Sequence, residues 1–151
     1  MDSIGLFEAS RMTTGVNMSK IKVATLQGKW TGDFDSNNAW YVEQARALKG
    51  KGYDLVVLPE LFHTPYFPFE ENADFFDLAI EKDHPIVGQW QSIAKELNAV
   101  VVFPFFEKRA RGIYHNSAFV FERDGSIAGL YRKSPSFGIT FVDITEFTAL
   151  A

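Results

Sequence analysis

Alternating apolar and polar positions mark the first readable element of this chain. Ile21-Lys22-Val23-Ala24-Thr25-Leu26-Gln27 alternates at its start and predicts a strand. Gly28 to Gly32 form a loop. Asp33 or Asp35 can then cap a helix whose inward face is Val42, Ala45 and Leu48 or Lys49. Gly50 and Gly52 end that helix. Leu55 to Leu58 is a short, wholly apolar run, as suits a strand buried on both faces. Residues 59–71 hold Pro59, Pro65 and Pro68 among Phe62, Tyr66, Phe67 and Phe69. Proline interrupts a regular ladder, so this stretch predicts a structured loop or a helical turn, with a short helix over 70–79. Pro85 opens a stronger helix from a favoured first-turn position, with His84 at its start. Ile86, Trp90, Ile93, Ala94 and Leu97 lie at offsets of 4, 7, 8 and 11, a single helical stripe that Asn98 closes. Val100 to Phe103 predicts another buried strand, reaching Pro104, Phe105 and Phe106. Ser117–Glu122 and Ser126–Tyr131 flank Arg123-Asp124-Gly125, and an Asp-Gly pair between apolar runs signals a hairpin.

Strand–helix–strand–helix–strand–hairpin predicts an α/β layered domain, a mixed sheet with helices on one face. Nothing in the pattern marks a second domain. Residues 1–19 read as a loose N-terminal extension, with Met18 an alternative start. Residues 20–133 read as the domain, and 134–151 as a divergent tail with a strand expected at 137–144.

Composition narrows the function classes. The 151 residues are 46% hydrophobic and 15% aromatic, so a folded core is expected. A formal charge of −4 supplies no electrostatic reason to bind nucleic acid or an anionic membrane. No apolar run approaches the ~20 residues that span a bilayer. Asp2 and Glu8 argue against a signal or transit peptide, which leaves the cytoplasm as the expected location. The sequence contains no cysteine, which excludes disulfides and thiolate metal sites within it.

Candidate chemistry begins with Glu60. It emerges from Leu55-Val56-Val57-Leu58-Pro59, and carboxylates at strand ends in open α/β sheets line ligand crevices. Partial desolvation there would suit a general base. The competing reading is a surface glutamate closing the following turn. Lys133 ends the last predicted strand, where a cation can stabilise a developing oxyanion; a solvated lysine beside Arg132 is the alternative. Asn116 can donate into a pocket or hold a turn. Glu107 is either a pocket carboxylate or a strand-end charge, and Phe62 and Tyr66 can wall a pocket or pack in the core. His63, His84 and His115 lack metal-ligand spacing. No Ser-His-Asp arrangement, dinucleotide fingerprint or P-loop is legible.

Several of these segments together resemble the nitrilase superfamily of carbon–nitrogen hydrolases. They are KVATLQ at 22–27, DLVVLPELF at 54–62, TPYFPFEE at 64–71, IAKELNAVVVFPFFEK at 93–108 and IYHNSAFVFERDGSIAGLYRK at 113–133. The loop and hairpin look most like the N-carbamoylputrescine amidase and β-ureidopropionase-like branch. The resemblance implies the N-terminal half of an α-β-β-α sandwich and hydrolysis of linear amide or carbamoyl C–N bonds. It implies no metal or organic cofactor. It also implies a Glu that takes a thiol proton, a Cys that attacks carbon, and a Lys that steadies the charged tetrahedral state. Glu60 matches the base and Lys133 the lysine. The cysteine, expected a few dozen residues later, has no counterpart here. Ser134-Pro135-Ser136 replaces the familiar His-Ile/Leu-Pro, and Glu146 stands near a second family glutamate in unmatched surroundings. We therefore expect a frameshifted or truncated reading frame, or an alternative end, after the lysine, and a chain inactive alone. Homo-oligomerisation, or docking on an intact paralogue as a catalytically dead partner, is expected by resemblance.

Overall fold

The computed structural model describes residues 3–9, 20–68 and 72–134; for 3–9 it describes the backbone. Six strands among these residues form one sheet in the order β1 (Ser3–Ala9), β2 (Ile21–Gln27), β3 (Leu55–Val57), β4 (Val100–Ala110), β5 (Ile113–Phe121), β6 (Ile127–Arg132). The neighbours β2, β3 and β4 run parallel, and the outer pairings are antiparallel. Helix α1 (Phe34–Arg46) links β2 to β3, and α2 (Pro85–Leu97) links β3 to β4. This is the expected mixed sheet with helices on one face. One expectation changes: Ser3–Ala9, read as part of a loose extension, pairs along its length with β2. Its sequence lacks clear alternation, so the pairing comes from the free edge that β2 offers. The strand expected at 137–144 lies outside the described residues.

Local chemistry explains where the helices start and stop. Asp33 caps α1 by accepting from the Ser36 amide at 2.9 Å. His84 caps α2 through its side chain, accepting from the Ile86 amide at 3.4 Å, and Pro85 fills the first turn. Asn98 ends α2 in the left-handed region at φ 51°, a conformation that asparagine tolerates. The short helix expected over 70–79 is a 3-10 helix at Ala73–Leu78. No described helix is long and apolar enough to cross a membrane.

Register sorts the sheet into two unlike faces. Ala24, Val56, Val101 and Phe121 align across β2, β3, β4 and β5 and are fully buried. They join Val42 and Ala45 of α1 and Trp90, Ile93 and Ala94 of α2 in the main core. The next aligned row, Thr25, Val57, Val102 and Val120, points the other way and is half-buried. Toward the far end of that second face Leu61, Phe67 and Phe106 form a smaller core with Phe75, Phe76 and Tyr114. The β5–β6 hairpin turns at Asp124-Gly125, as the sequence predicts.

Candidate functional site

Three of the six residues singled out by sequence meet at one end of the second face. Glu60 lies just beyond the carboxyl end of β3, Asn116 is on β5, and Lys133 follows β6. The Lys133 ammonium stands 3.6 Å from Glu60 Oε1, and each side chain is 41% exposed. The Asn116 amide donates to the same Glu60 oxygen. The Asn116 carbonyl accepts from the Lys133 amide at 2.9 Å. Asn116 therefore bonds Glu60 through its side chain and the Lys133 backbone through its main chain, and it ties strand ends that are 56 and 17 residues apart to one another. The alternation of β6 explains the aim of Lys133: Tyr131 aligns with Ala118 and Arg132 with Ser117, so Arg132 and Lys133 take opposite faces.

Leu61 accounts for how Glu60 escapes the core. It sits at φ 54°, a conformation unusual for a bulky L residue, and its side chain is 1% exposed. The reversal lets consecutive side chains diverge. Phe62 turns into the main core and meets Tyr41, Trp90 and Phe103 edge-on at 5.2–5.6 Å. Of the two places open to it, pocket wall or core, Phe62 takes the core. Tyr66 is 52% exposed on the loop.

Glu107 belongs to a separate network on the helix-side register. Its carboxylate is 1% exposed and accepts two hydrogen bonds from Arg132, both 2.7 Å, and one from Ser117 Oγ at 2.6 Å. Burial alone would raise this carboxyl, but the Arg132 and Ser117 hydrogen bonds and the Arg132 charge outweigh it and hold the pKa below the ordinary value. Glu107 lies in the wall of a polar groove with Glu81, Lys82, Asp83, Lys108 and Arg109, not beside Glu60. Sequence inspection weighed Arg132 only as a neighbour of Lys133. Its alternation with Lys133 is the signal that it faces inward.

The arrangement at Glu60 can hold a carboxylate beside a cation with a fixed amide donor. That combination suits proton transfer next to a site of developing negative charge. Among the described residues no group of three or more potential metal ligands clusters.

The carbon-nitrogen hydrolase family matches residues 22–146. The chain belongs to that family. Relatives include the N-carbamoylputrescine amidases of Arabidopsis thaliana, 34% identical over 82% of this chain, and Oryza sativa subsp. japonica, 38% identical over 77%. A citrullinase of Francisella tularensis is 34% identical over 78%. A crystal structure of a carbon-nitrogen hydrolase from Helicobacter pylori superposes with a TM-score of 0.72 at 37% identity, covering 85% of this chain and 43% of the other. The chain spans about two-fifths of the length of the curated relatives named here, 41%, 38% and 41% in turn. The carbon-nitrogen hydrolase match continues past Lys133, where the legible motifs stop.

Proposed function

We propose that this chain carries the base-and-lysine portion of a carbon–nitrogen hydrolase site for linear, non-peptide amide or carbamoyl groups. The observation that carries the reading is the meeting of Glu60, Asn116 and Lys133 at the strand ends. In this role Glu60 accepts the proton of the attacking thiol, and the Lys133 ammonium steadies the negative oxygen of the tetrahedral state. Asn116 holds the carboxylate that does the proton transfer. The N-carbamoylputrescine amidase and citrullinase relatives support a substrate with a terminal carbamoyl or ureido carbon.

The 151 residues contain no cysteine, so this polypeptide by itself has no thiolate to attack that carbon. Losing an acting nucleophile costs on the order of 10⁶ in turnover. The purified chain is therefore expected to release no ammonia from N-carbamoylputrescine, N-carbamoyl-β-alanine or small nitriles. Clear turnover by a contaminant-free sample would overturn the thiol-dependent role given to Glu60.

A second reading is favoured by the valine-rich second face next to the cluster. On it, the chain is a catalytically silent partner that docks on an intact homologous enzyme. A change in that enzyme's turnover on mixing supports this reading, and unchanged turnover at saturating chain removes it.

A further inference from the structure

The left-handed turn at Leu61 that frees Glu60 has to be held in place, because a bulky L residue there is strained and persists only where its surroundings over-determine it. Within the turn, the Leu61 carbonyl accepts from the Thr64 amide at 2.9 Å and from Thr64 Oγ1 at 3.2 Å. Those bonds shape the turn but do not fix its place against the sheet. The Phe62 ring anchors it in the main core, yet apolar packing carries no direction. Direction comes from Asn37. This side chain, 1% exposed near the start of α1, donates its amide to the Phe62 carbonyl, 25 residues away.

The helix is itself fixed at that point. Asp33 caps it, and Asn38 accepts from Trp90 Nε1 at 3.0 Å and donates to Gln89 Oε1 at 2.7 Å, both on α2. The Asn37 amide therefore stands on two packed helices. Stability alone does not account for an asparagine here. The Phe62 oxygen only accepts, so the Asn37 nitrogen faces it. The other end of the amide, Oδ1, is buried with no hydrogen-bond partner among the described residues. An orphaned buried acceptor costs at least as much as one hydrogen bond returns. What the residue secures is the orientation of the Phe62 peptide and, through the adjoining Leu61, the side of the sheet on which Glu60 emerges.

We propose that Asn37 is a positioning residue for Glu60: its amide clamps the Phe62 carbonyl to α1 and so fixes the turn that delivers the Glu60 carboxylate to Asn116 and Lys133. This role rests on the hydrolase reading for what the carboxylate does, whereas the clamp itself is tested without turnover.

Nitrogen–proton spectra of the full chain provide the test, read at the Asn116 side-chain amide, which lies on β5 and donates to Glu60. Glu60→Ala removes the acceptor and sets the full displacement of that signal. Asn37→Leu is expected to leave the backbone amides of β4 unmoved and to displace the Asn116 signal toward its Glu60→Ala position, over most of that range. A merely structural Asn37 would lower the urea midpoint and leave the Asn116 signal of the folded chain in place, and that result overturns the proposal. If Asn37→Leu does not fold, Asn37→Ala, which adds no bulk, is read in the same way. In the unaltered chain the Asn37 side-chain nitrogen should couple to the Phe62 carbonyl carbon across the hydrogen bond, and absence of that coupling overturns the proposal whichever variant folds. Ammonia release by the purified chain would instead remove the thiol-dependent role of Glu60 and leave the clamp standing.

Discussion

Two buried polar side chains, Glu107 and His63, show how residue-level chemistry shapes stability. Glu107 is ionised inside the protein because Arg132 bridges it twice and Ser117 donates a third bond. Arg132→Met would leave that carboxylate buried and uncompensated. It is expected to cost on the order of 3 kcal/mol at neutral pH, measured by urea denaturation. The Glu107 pKa is depressed in the fold, so its stabilisation is present above the unfolded carboxylate range. It is lost as pH falls through the lower folded value. The Arg132→Met penalty should therefore shrink in acid, and a penalty unchanged with pH would reject the assignment. His63 shifts stability in the same direction, through burial rather than pairing. It stays neutral in the fold down to about pH 3, whereas the unfolded chain protonates it below about 6.5. The unfolded state then binds the extra proton, so stability is lost as pH falls across that window. Between pH 7 and pH 5 the loss should be about 2 kcal/mol, and His63→Gln should flatten that slope in parallel denaturation curves. None of this was legible in the chain. Sequence inspection left Glu107 open between pocket and strand end, and it found no role for His63, because pairing and burial depend on contacts far apart in sequence.

Elements were far more legible, because their signals are local. The α2 stripe, its Pro85 start and its Asn98 end all agree between pattern and fold. So does the Asp124-Gly125 hairpin, and the structure adds why glycine sits there. Gly125 has φ +86°, and a Cβ at that position would come within 2.6 Å of the Gln91 carbonyl oxygen on α2. Its own carbonyl accepts from Gln91 Nε2 at 2.9 Å. The turn is thus seated on a helix as well as reversing a strand pair. Gly125→Ala should cost about 2 kcal/mol or more, from strained backbone and backbone contact together. A loss below about 0.5 kcal/mol in thermal or urea unfolding would show that the hairpin can lift away from α2. β1 was missed because edge pairing demands little of a sequence beyond an available neighbour.

At the scale of the whole molecule the described residues give the sheet one fully buried face and one half-buried face. Val101 is fully buried under the helices, while Val102, its neighbour, points to the half-buried second face. Val101→Thr buries a hydroxyl in the core and should cost about 2 kcal/mol. Val102→Thr should cost under about 1 kcal/mol. Equal costs in chemical denaturation would mean that both faces are sealed alike. The valine-rich second face leads directly to the strand ends where Glu60, Asn116 and Lys133 gather. The positions of β2 to β6, both helices and the hairpin turn were legible in the sequence, because periodicity, capping residues and Asp-Gly chemistry act over a few neighbouring residues, whereas β1 was not. Kinship with the carbon–nitrogen hydrolases was likewise visible in short motifs. Only the tertiary structure decided which charged groups share space. The left-handed turn at Leu61 and the alternation at Arg132 and Lys133 select the side of the sheet each carboxylate and cation occupies. Such a choice depends on register between distant strands, and no local stretch of residues contains it.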